Sequence, residues 1–549
     1  MAQSLVIMQR RILLTLLLLA VVLVAWGAGF ASFPLGVEGE WTWERVALTE
    51  SWGFALAPLW IVGAVYVGFI WGGHRSLGRC GAIATAFWMA GLVVAGFAWL
   101  WVAQEAAPEN FQLSKAPWVL YYRGSSGYFS EARDEAQDLP RYLRNYEAKM
   151  AQGDVLHIGT HPPGLVVVLR GLLAVCERSP QLVDWLAATE PASARLAFDE
   201  LQQHSPLPKS HRATLWLAAL LVQLAAALTV VPLFGLLRMT YPRPASWQAA
   251  AFWPTVPAVS LFLPKSDCLF PCMAMTILWF WVTGISNRSL WRCLAAGIWF
   301  WLGLSLSLAF LPVAFVCGVV AVWLAKFPSV EPMSDRQADG GESERSLAGS
   351  SRAWSVVFRR LCAPVLWVVI GFVGPTVIVW TCCDINLFQV WRWNFHNHAG
   401  FYQQFSRTYW KWLLVNPVEL SVAVGLPLAV LTGWSVLTTV RRLPRAQAAP
   451  AAAWLLTMGI LWLSGKNMGE AARLWVFLMP FPVWISGSVL YDWDMSNPEH
   501  CVLTGGRVGD RRPGLSNLVW VALAAQLLGT SLLVTRVVGF HVPGLPSAG

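Results

Sequence analysis

Arg10-Arg-Ile-Leu-Leu-Thr-Leu-Leu-Leu-Leu-Ala-Val-Val-Leu-Val-Ala-Trp-Gly-Ala-Gly-Phe30 places two arginines ahead of an uncharged apolar run, residues 12–30. About 20 such residues, wound as a helix, cross the roughly 30 Å hydrocarbon layer of a bilayer. Paired arginines before an apolar stretch also open a signal peptide, with a weak small-residue cleavage site at Ala31-Ser32. The stretch is long for that role and is read as an uncleaved first span.

The pattern recurs along the chain. Apolar runs lie near 53–72, 80–103, 212–237, 246–263 and 268–286, followed by a double-length run over 292–325. Others lie near 362–383, 413–439, 448–464, 474–491 and 515–535, and the shorter 163–176 contains Arg170 and reads as a span or a half-helix. By run length the fold class is all-α, a polytopic integral membrane protein of about 13 or 14 transmembrane helices. Composition agrees: of 549 residues 56% are hydrophobic and 13% charged, against about 25% charged in soluble domains. A soluble globular enzyme, a disordered chain and a nucleic-acid-binding domain are excluded. The net charge of +9 sits in short loops between apolar runs, where it orients the chain in a membrane and does not recruit nucleic acid.

The ten cysteines fall mostly in or beside apolar runs, where a thiol behaves as a small hydrophobe. Cys268 and Cys272 are four apart without a nearby Cys or His to complete a zinc set, and a Cys382–Cys383 bridge would be strained. Neither a disulfide framework nor a thiolate metal site is supported.

Basic residues set the topology. Arg10 and Arg11, then His74, Arg75 and Arg79, put the N-terminus and the 73–79 loop in the cytoplasm. The same rule internalises 238–243, 287–292, 326–360, 441–445 and 492–512, and leaves 104–162, 264–267, 386–411 and 465–473 outside. The chain thus divides into N-terminal membrane helices (1–103), an outer loop with surface helices (104–164) and a membrane core (165–326). A Ser-, Gly- and acid-rich cytoplasmic linker (327–361) and C-terminal membrane helices (362–549) complete it. Parity over 163–245 stays open, because a full crossing by 163–176 would invert the next segments.

The first outer loop carries Glu131, Asp134, Glu135 and Asp138, spaced as one stripe of a helix. Pro140 would break a continuous helix, so two short helices meeting near Asp138 are expected, with Asp138 capping the second. A solvated acidic face with an N-cap accounts for the same pattern. The loop continues Gly153-Asp-Val-Leu-His157-Ile-Gly-Thr-His161-Pro-Pro-Gly164 into apolar sequence.

Asp134-Glu135 or Asp138, then Gly153-Asp154, then His161-Pro-Pro-Gly164 resembles the GT-C glycosyltransferases, in particular the protein O-mannosyltransferase and aminoarabinose-transferase group (glycosyltransferase family 39 and relatives). There an outer-loop Asp, a subsequent Gly-Asp and a His-Pro-Pro or Lys-Pro-Pro occur in this order. Asp134-Glu135 matches the residue pair and Asp138 matches the spacing, so both alternatives remain. The family loop usually comes after the first span, whereas here it comes after the third.

Three later outer clusters follow, of which the first and third extend the resemblance. Phe262-Leu-Pro-Lys265-Ser-Asp267 leaves an acid at a membrane boundary, where ionisable groups are costly and usually functional; a Lys265–Asp267 surface pair is the plainer reading. Asp267 resembles the second GT-C Asp. The loop 391–412 holds Asn394, His396, Asn397, His398 and Tyr402 among aromatics, a mixture suited to a sugar, since hydroxyls pair with amides and imidazoles while C–H faces stack on rings. An interfacial aromatic belt explains its tryptophans alone. Gly465-Lys466-Asn-Met-Gly-Glu470-Ala-Ala-Arg473, running to Met479-Pro-Phe-Pro482, resembles the late Glu/Arg helix opening and Pro-x-Pro of GT-C enzymes. A snorkelling Arg473 paired with Glu470 accounts for it more simply.

The resemblance implies a GT-C-like fold with outer-face surface helices and an inverting transfer of a sugar from a polyprenyl-phosphate donor. The acceptor would be a protein, lipid or glycan at the periplasmic face of the inner membrane. Asp134, Glu135 or Asp138 would activate the acceptor hydroxyl. Arg473, Lys466, Glu470, His161 and Asp267 would bind the donor, and Asn394, His396, Asn397, His398 and Tyr402 the sugar or acceptor. No cofactor is assigned and a divalent metal is left open. The rivals are a transporter or lipid flippase, against which the absence of an internal repeat counts, a non-catalytic scaffold, and an oligosaccharide ligase or polymerase with a different donor.

Overall fold

Inside a bilayer every backbone N–H and C=O must be satisfied within the protein, which leaves helices as the natural way to thread apolar sequence across it. The computed structural model describes residues 2–29, 35–46, 52–327, 350–439, 448–495 and 517–539. Most of the 327–361 linker and of the 492–512 loop, the 441–445 loop and Cys501 lie outside the described residues. The chain is an all-α membrane protein, about 80% helical. Its strands, among the described residues, are two-residue pairings: Gly36–Val37 with Trp41–Thr42, and Glu44–Arg45 with Val537–Val538. Every cysteine among the described residues is a free thiol.

Among the described residues six helices are long and apolar enough to cross a membrane, or seven with the bent pair Tyr409–Val424 and Leu426–Thr438, and five apolar helices are shorter. This is fewer continuous spans than the 13 or 14 that run length gives, because prolines, glycines and serines divide the runs. The 292–325 run becomes Leu290–Leu306 and Phe310–Lys326, parted where the Ser307 hydroxyl accepts from the Ala309 N–H at 3.2 Å. The 246–263 run is no single helix. Prolines at 254 and 257 cut it into Arg243–Ala250, a 3-10 turn Trp253–Thr255 and Pro257–Phe262. Side chains take up the loosened backbone: Tyr66 donates to the Ala251 carbonyl at 2.7 Å, and Gln526 and Thr530 both donate to that of Thr255.

Contacts bear on the segment whose parity the sequence leaves open. Gly164–Arg178 is a 15-residue helix packed on Tyr128–Asp134 and Lys209–Leu228. Ser193 donates to Glu105 at 2.6 Å, and the Tyr121 and Ser205 hydroxyls share a hydrogen bond. Residues on both sides of the helix therefore contact one another. Arg243 donates to the Cys80 carbonyl, and Tyr241 packs on Tyr491.

The second break, at Gly425, bends its pair by 104°. Gly425 has φ of +97°, and an added Cβ would lie 2.2 Å from Gln526 Nε2. Gln526 repairs the break, donating to the Val424 carbonyl at 2.9 Å and accepting from the Leu428 N–H at 3.1 Å. Gly425→Ala, strained and overpacked, is expected to lose about 1–3 kcal/mol of stability. Gln526→Leu, which orphans buried backbone groups, is expected to lose a similar amount. Thermal unfolding in detergent checks both; unchanged midpoints would contradict the role given to Gln526.

Candidate functional site

The loop between residues 105 and 164 folds from local rules. Asp138 caps Leu139–Arg144 by accepting from the Arg141 N–H at 3.1 Å, with Pro140 in the first turn. The preceding helix stops at Asp134, so the acidic stripe is not continuous. Glu131 turns inward, 1% exposed, and pairs with Lys149 and with Arg123 at 3.6 Å. Asp154 accepts from the Leu156 and Gly159 N–H groups at 2.9 and 3.2 Å, starting the short helix His157–Thr160. Gly164 then opens the next helix so close to Leu290–Leu306 that a Cβ would meet the Ser305 carbonyl at 2.3 Å.

The helix Leu387–Gln404 clamps this segment. Asn394 donates to the carbonyls of Gly159 and His161 at 2.9 and 3.1 Å, and Asn397 to those of Met150 and Gly159 at 2.9 and 3.0 Å. The Tyr146 hydroxyl adds a bond to the His161 carbonyl at 2.8 Å. His161 Nδ1 lies 3.0 Å from the His157 carbonyl. A carbonyl only accepts, so Nδ1 carries the proton and Nε2 is left as an acceptor. Burial pushes the His161 imidazole down to about 4, with the His157 carbonyl opposing and neighbouring cations assisting. Burial likewise holds His157 well below its ordinary value, helped by Lys265 and Arg473.

Above this clamp lies a cavity of about 510 Å³, lined among others by His161, Lys265, Asp267, Lys466, Glu470 and Arg473. Polar segments separated by hundreds of residues meet there. Arg473 donates to Glu470 at 2.8 Å and lies 3.8 Å from Asp267, and among the described residues its Nε has no hydrogen-bond partner. Lys265 donates to the Ser125 carbonyl, and burial, reinforced by Arg473, pushes its ammonium down to about 7. Tyr402 accepts from the Met468 N–H at 2.9 Å, tying the 465–470 loop to the clamp helix, and Trp475 donates to Asn467 at 2.9 Å to close that loop. The Lys466 ammonium sits over the Phe395 ring, 5.4 Å from its centroid. Such a site combines a guanidinium, two lysines, three acidic side chains (Asp267, Glu419 and Glu470) and neutral imidazole acceptors beside apolar walls at Leu308, Leu311 and Leu461.

Of the residues singled out by sequence, the cavity unites His161, Asp267, His398, Tyr402, Lys466, Glu470 and Arg473. The loop acids are elsewhere. Asp134 pairs with the adjacent Arg133 at 2.6 Å, Glu135 is exposed, and Asp138 is an exposed cap. Asn394 and Asn397 are 0% and 2% exposed, their amide N–H groups spent on the histidine segment. His396 packs edge-on against Trp393, away from the cavity lining. Sequence reading assigned no site role to His157, Lys265, Tyr128 or Glu419, all of which line the cavity. Glu419 could have been found as an acid inside an apolar run. Among the described residues no three His, Cys, Asp or Glu side chains group so as to hold a metal ion.

The histidines give a pH dependence with a definite sign. A pKa of about 4 in the folded chain, below the usual value near 6.5, means that the unfolded chain binds more protons between those values. Stability is then full above about pH 6.5 and falls as the pH drops towards 4. His161→Asn should flatten the fall of the unfolding midpoint between pH 7 and 4.5; an unaltered slope would show that His161 is not held neutral. Asn394→Ala should lower the midpoint at every pH, because it removes two buried hydrogen bonds, to the Gly159 and His161 carbonyls. No protein-family model matches this chain, and no curated protein matches it either.

Proposed function

We propose that the chain is a membrane glycosyltransferase of the GT-C kind, moving a sugar from a polyprenyl-phosphate donor to a hydroxyl of a protein, lipid or glycan acceptor. The observation that carries this reading is the convergence of Arg473, Lys265 and Lys466 with Asp267 in one cavity at the end of an apolar helix bundle. A lipid-borne phosphate needs cations within reach of the bilayer, and a guanidinium supplies a fork matched to it. Arg243 meets the Cys80 carbonyl at the other end, and with the arginines at 10, 11, 75, 79 and 238 it supports, under the positive-inside rule, a cytoplasmic position for that end and a periplasmic one for the cavity.

In this reading the acceptor oxygen forms a bond to the anomeric carbon as the bond from that carbon to the phosphate oxygen breaks, inverting the centre. The phosphate leaves with the electron pair, its charge held by Arg473, Lys265 and Lys466. The acceptor proton passes to Asp267, which takes the part that the family resemblance assigns to Asp134, Glu135 or Asp138. Glu470 orients Arg473, and His161 offers Nε2 to a hydroxyl.

A transporter or flippase is the second reading, favoured by the helix pair bent by 104°, since broken spans are common in transporters. Against it stands the gathering of the charged groups at one end.

The two acid assignments separate in an assay of label transfer from polyprenyl-phosphate sugars to membrane acceptors. Asp267→Asn and Arg473→Ala should each reduce transfer by about a hundredfold or more, while Asp134→Asn and Asp138→Asn retain near wild-type rates. Loss in Asp138→Asn with full activity in Asp267→Asn would move the chemistry back to the loop acids. Absence of transfer with any donor, together with donor translocation across vesicles, would establish the flippase.

A further inference from the structure

The cationic side of the cavity accounts for a phosphate and leaves one buried carboxylate unused. Glu419 lies on Tyr409–Val424, is 2% exposed, and lines the cavity. Its Oε1 accepts from the Trp43 indole N–H at 3.0 Å. Its Oε2 is buried and, among the described residues, has no hydrogen-bond partner. A buried carboxyl oxygen left without a partner is expensive, and such an atom at a cavity wall marks a place where a ligand completes the bonding.

The surroundings fix what kind of ligand. Trp41, Phe262 and Trp475 wall the same cavity. Trp43, the donor that orients Glu419, is itself wedged edge-on against Trp41 and Phe262, with ring centroids 6.3 and 5.8 Å away. Trp43 comes from the segment between the two short strand pairings, so the N-terminal part of the chain contributes to the site although its sequence carries no motif. Aromatic walls beside a buried carboxyl group suit a polyhydroxylated ring: hydroxyls exchange hydrogen bonds with the carboxyl while C–H faces lie on the rings. An aromatic cage with an acid also suits an organic cation. Lys265, Lys466 and Arg473 in the same cavity disfavour a cationic head.

We infer that Glu419, oriented by Trp43 and flanked by Trp41, Phe262 and Trp475, is the binding residue for the hydroxyls of the sugar head, while the cations hold its phosphate. The inference rests on the glycosyltransferase reading for its ligand class. It adds a division of labour: phosphate affinity and sugar recognition belong to separate residues.

The test uses the full-length protein in lipid nanodiscs and measures binding of a short isoprenyl phosphate, the same lipid carrying glucose, mannose or galactose, and one carrying an amino sugar. The wild type should bind at least one hexose-bearing probe about tenfold or more tighter than the bare phosphate. Glu419→Ala should erase that preference and leave affinity for the bare phosphate unaltered. Glu419→Gln, which keeps an acceptor oxygen, should retain part of the preference. Arg473→Ala should weaken every probe. Equal losses for bare and sugar-bearing probes in Glu419→Ala would reveal a packing role and overturn the inference. So would an unchanged preference in that variant, or no preference in the wild type. A preference for the amino sugar alone, lost fully in Glu419→Gln, would assign a cation site instead. Label transfer by the same preparation keeps the two ideas apart. Transfer with a Glu419-independent preference removes this inference only, whereas a Glu419-dependent preference without transfer removes only the enzyme.

Discussion

Gln526 holds together two places where the chain leaves the helical path inside an apolar medium. Its side chain bonds to the Thr255 carbonyl in one broken segment and to the Val424 carbonyl and Leu428 N–H in another. In water those groups would be solvated at little loss; in hydrocarbon the Val424 carbonyl and the Leu428 N–H would each lose this partner at a cost of several kcal/mol, while the Thr255 carbonyl also has Thr530. Both breaks lie next to residues of the site. The first ends at Phe262 and delivers Lys265 and Asp267 to the cavity, and the second adjoins the half-span that carries Glu419. This amide thus helps non-helical backbone to persist in two segments that lead into the site.

The site obeys a second constraint, the compensation of charge out of water. Arg473 is flanked by Glu470 and Asp267, and Lys265 is capped by the Ser125 carbonyl. Compensation is incomplete: Arg473 Nε and Glu419 Oε2 lack hydrogen-bond partners among the described residues. A half-satisfied polar network is destabilising in itself, and its persistence at a cavity fits a site whose bonding a ligand completes. Rigidity comes from the neutral part of the network. Asn394, Asn397 and Tyr146 fix the backbone around His161, so that the imidazole is positioned before anything binds.

Much of this could be read from the sequence. Apolar run length pointed to an all-α membrane protein, and the four segments that were polar without being basic flanks meet in one cavity. The Asp138 cap could be inferred from Pro140 two residues later. What misled was periodicity read without its partners. The stripe Glu131–Asp138 looked like one functional face, but the helix ends at Asp134 and Glu131 turns inward to Lys149. Asn394 and Asn397 looked like sugar ligands because an amide that clamps a distant carbonyl is indistinguishable in sequence from one that faces a ligand. Run length also treated 246–263 as a helix, whereas Pro254 and Pro257 divide it. Glu419 passed unnoticed inside an apolar run, and its orienting partner Trp43 is 376 residues away, a separation that no local pattern carries.

The central claim is that a lipid phosphate occupies the Arg473 cavity, and a cryo-EM structure of the protein in nanodiscs with a polyprenyl-phosphate sugar bound tests it most directly. The account predicts the phosphate within hydrogen-bonding distance of Arg473 and Lys265, the sugar ring against the aromatic wall with a hydroxyl at Glu419, and the isoprenyl chain leaving past Leu308 and Leu311. A lipid phosphate bound elsewhere, with this cavity empty, would contradict it.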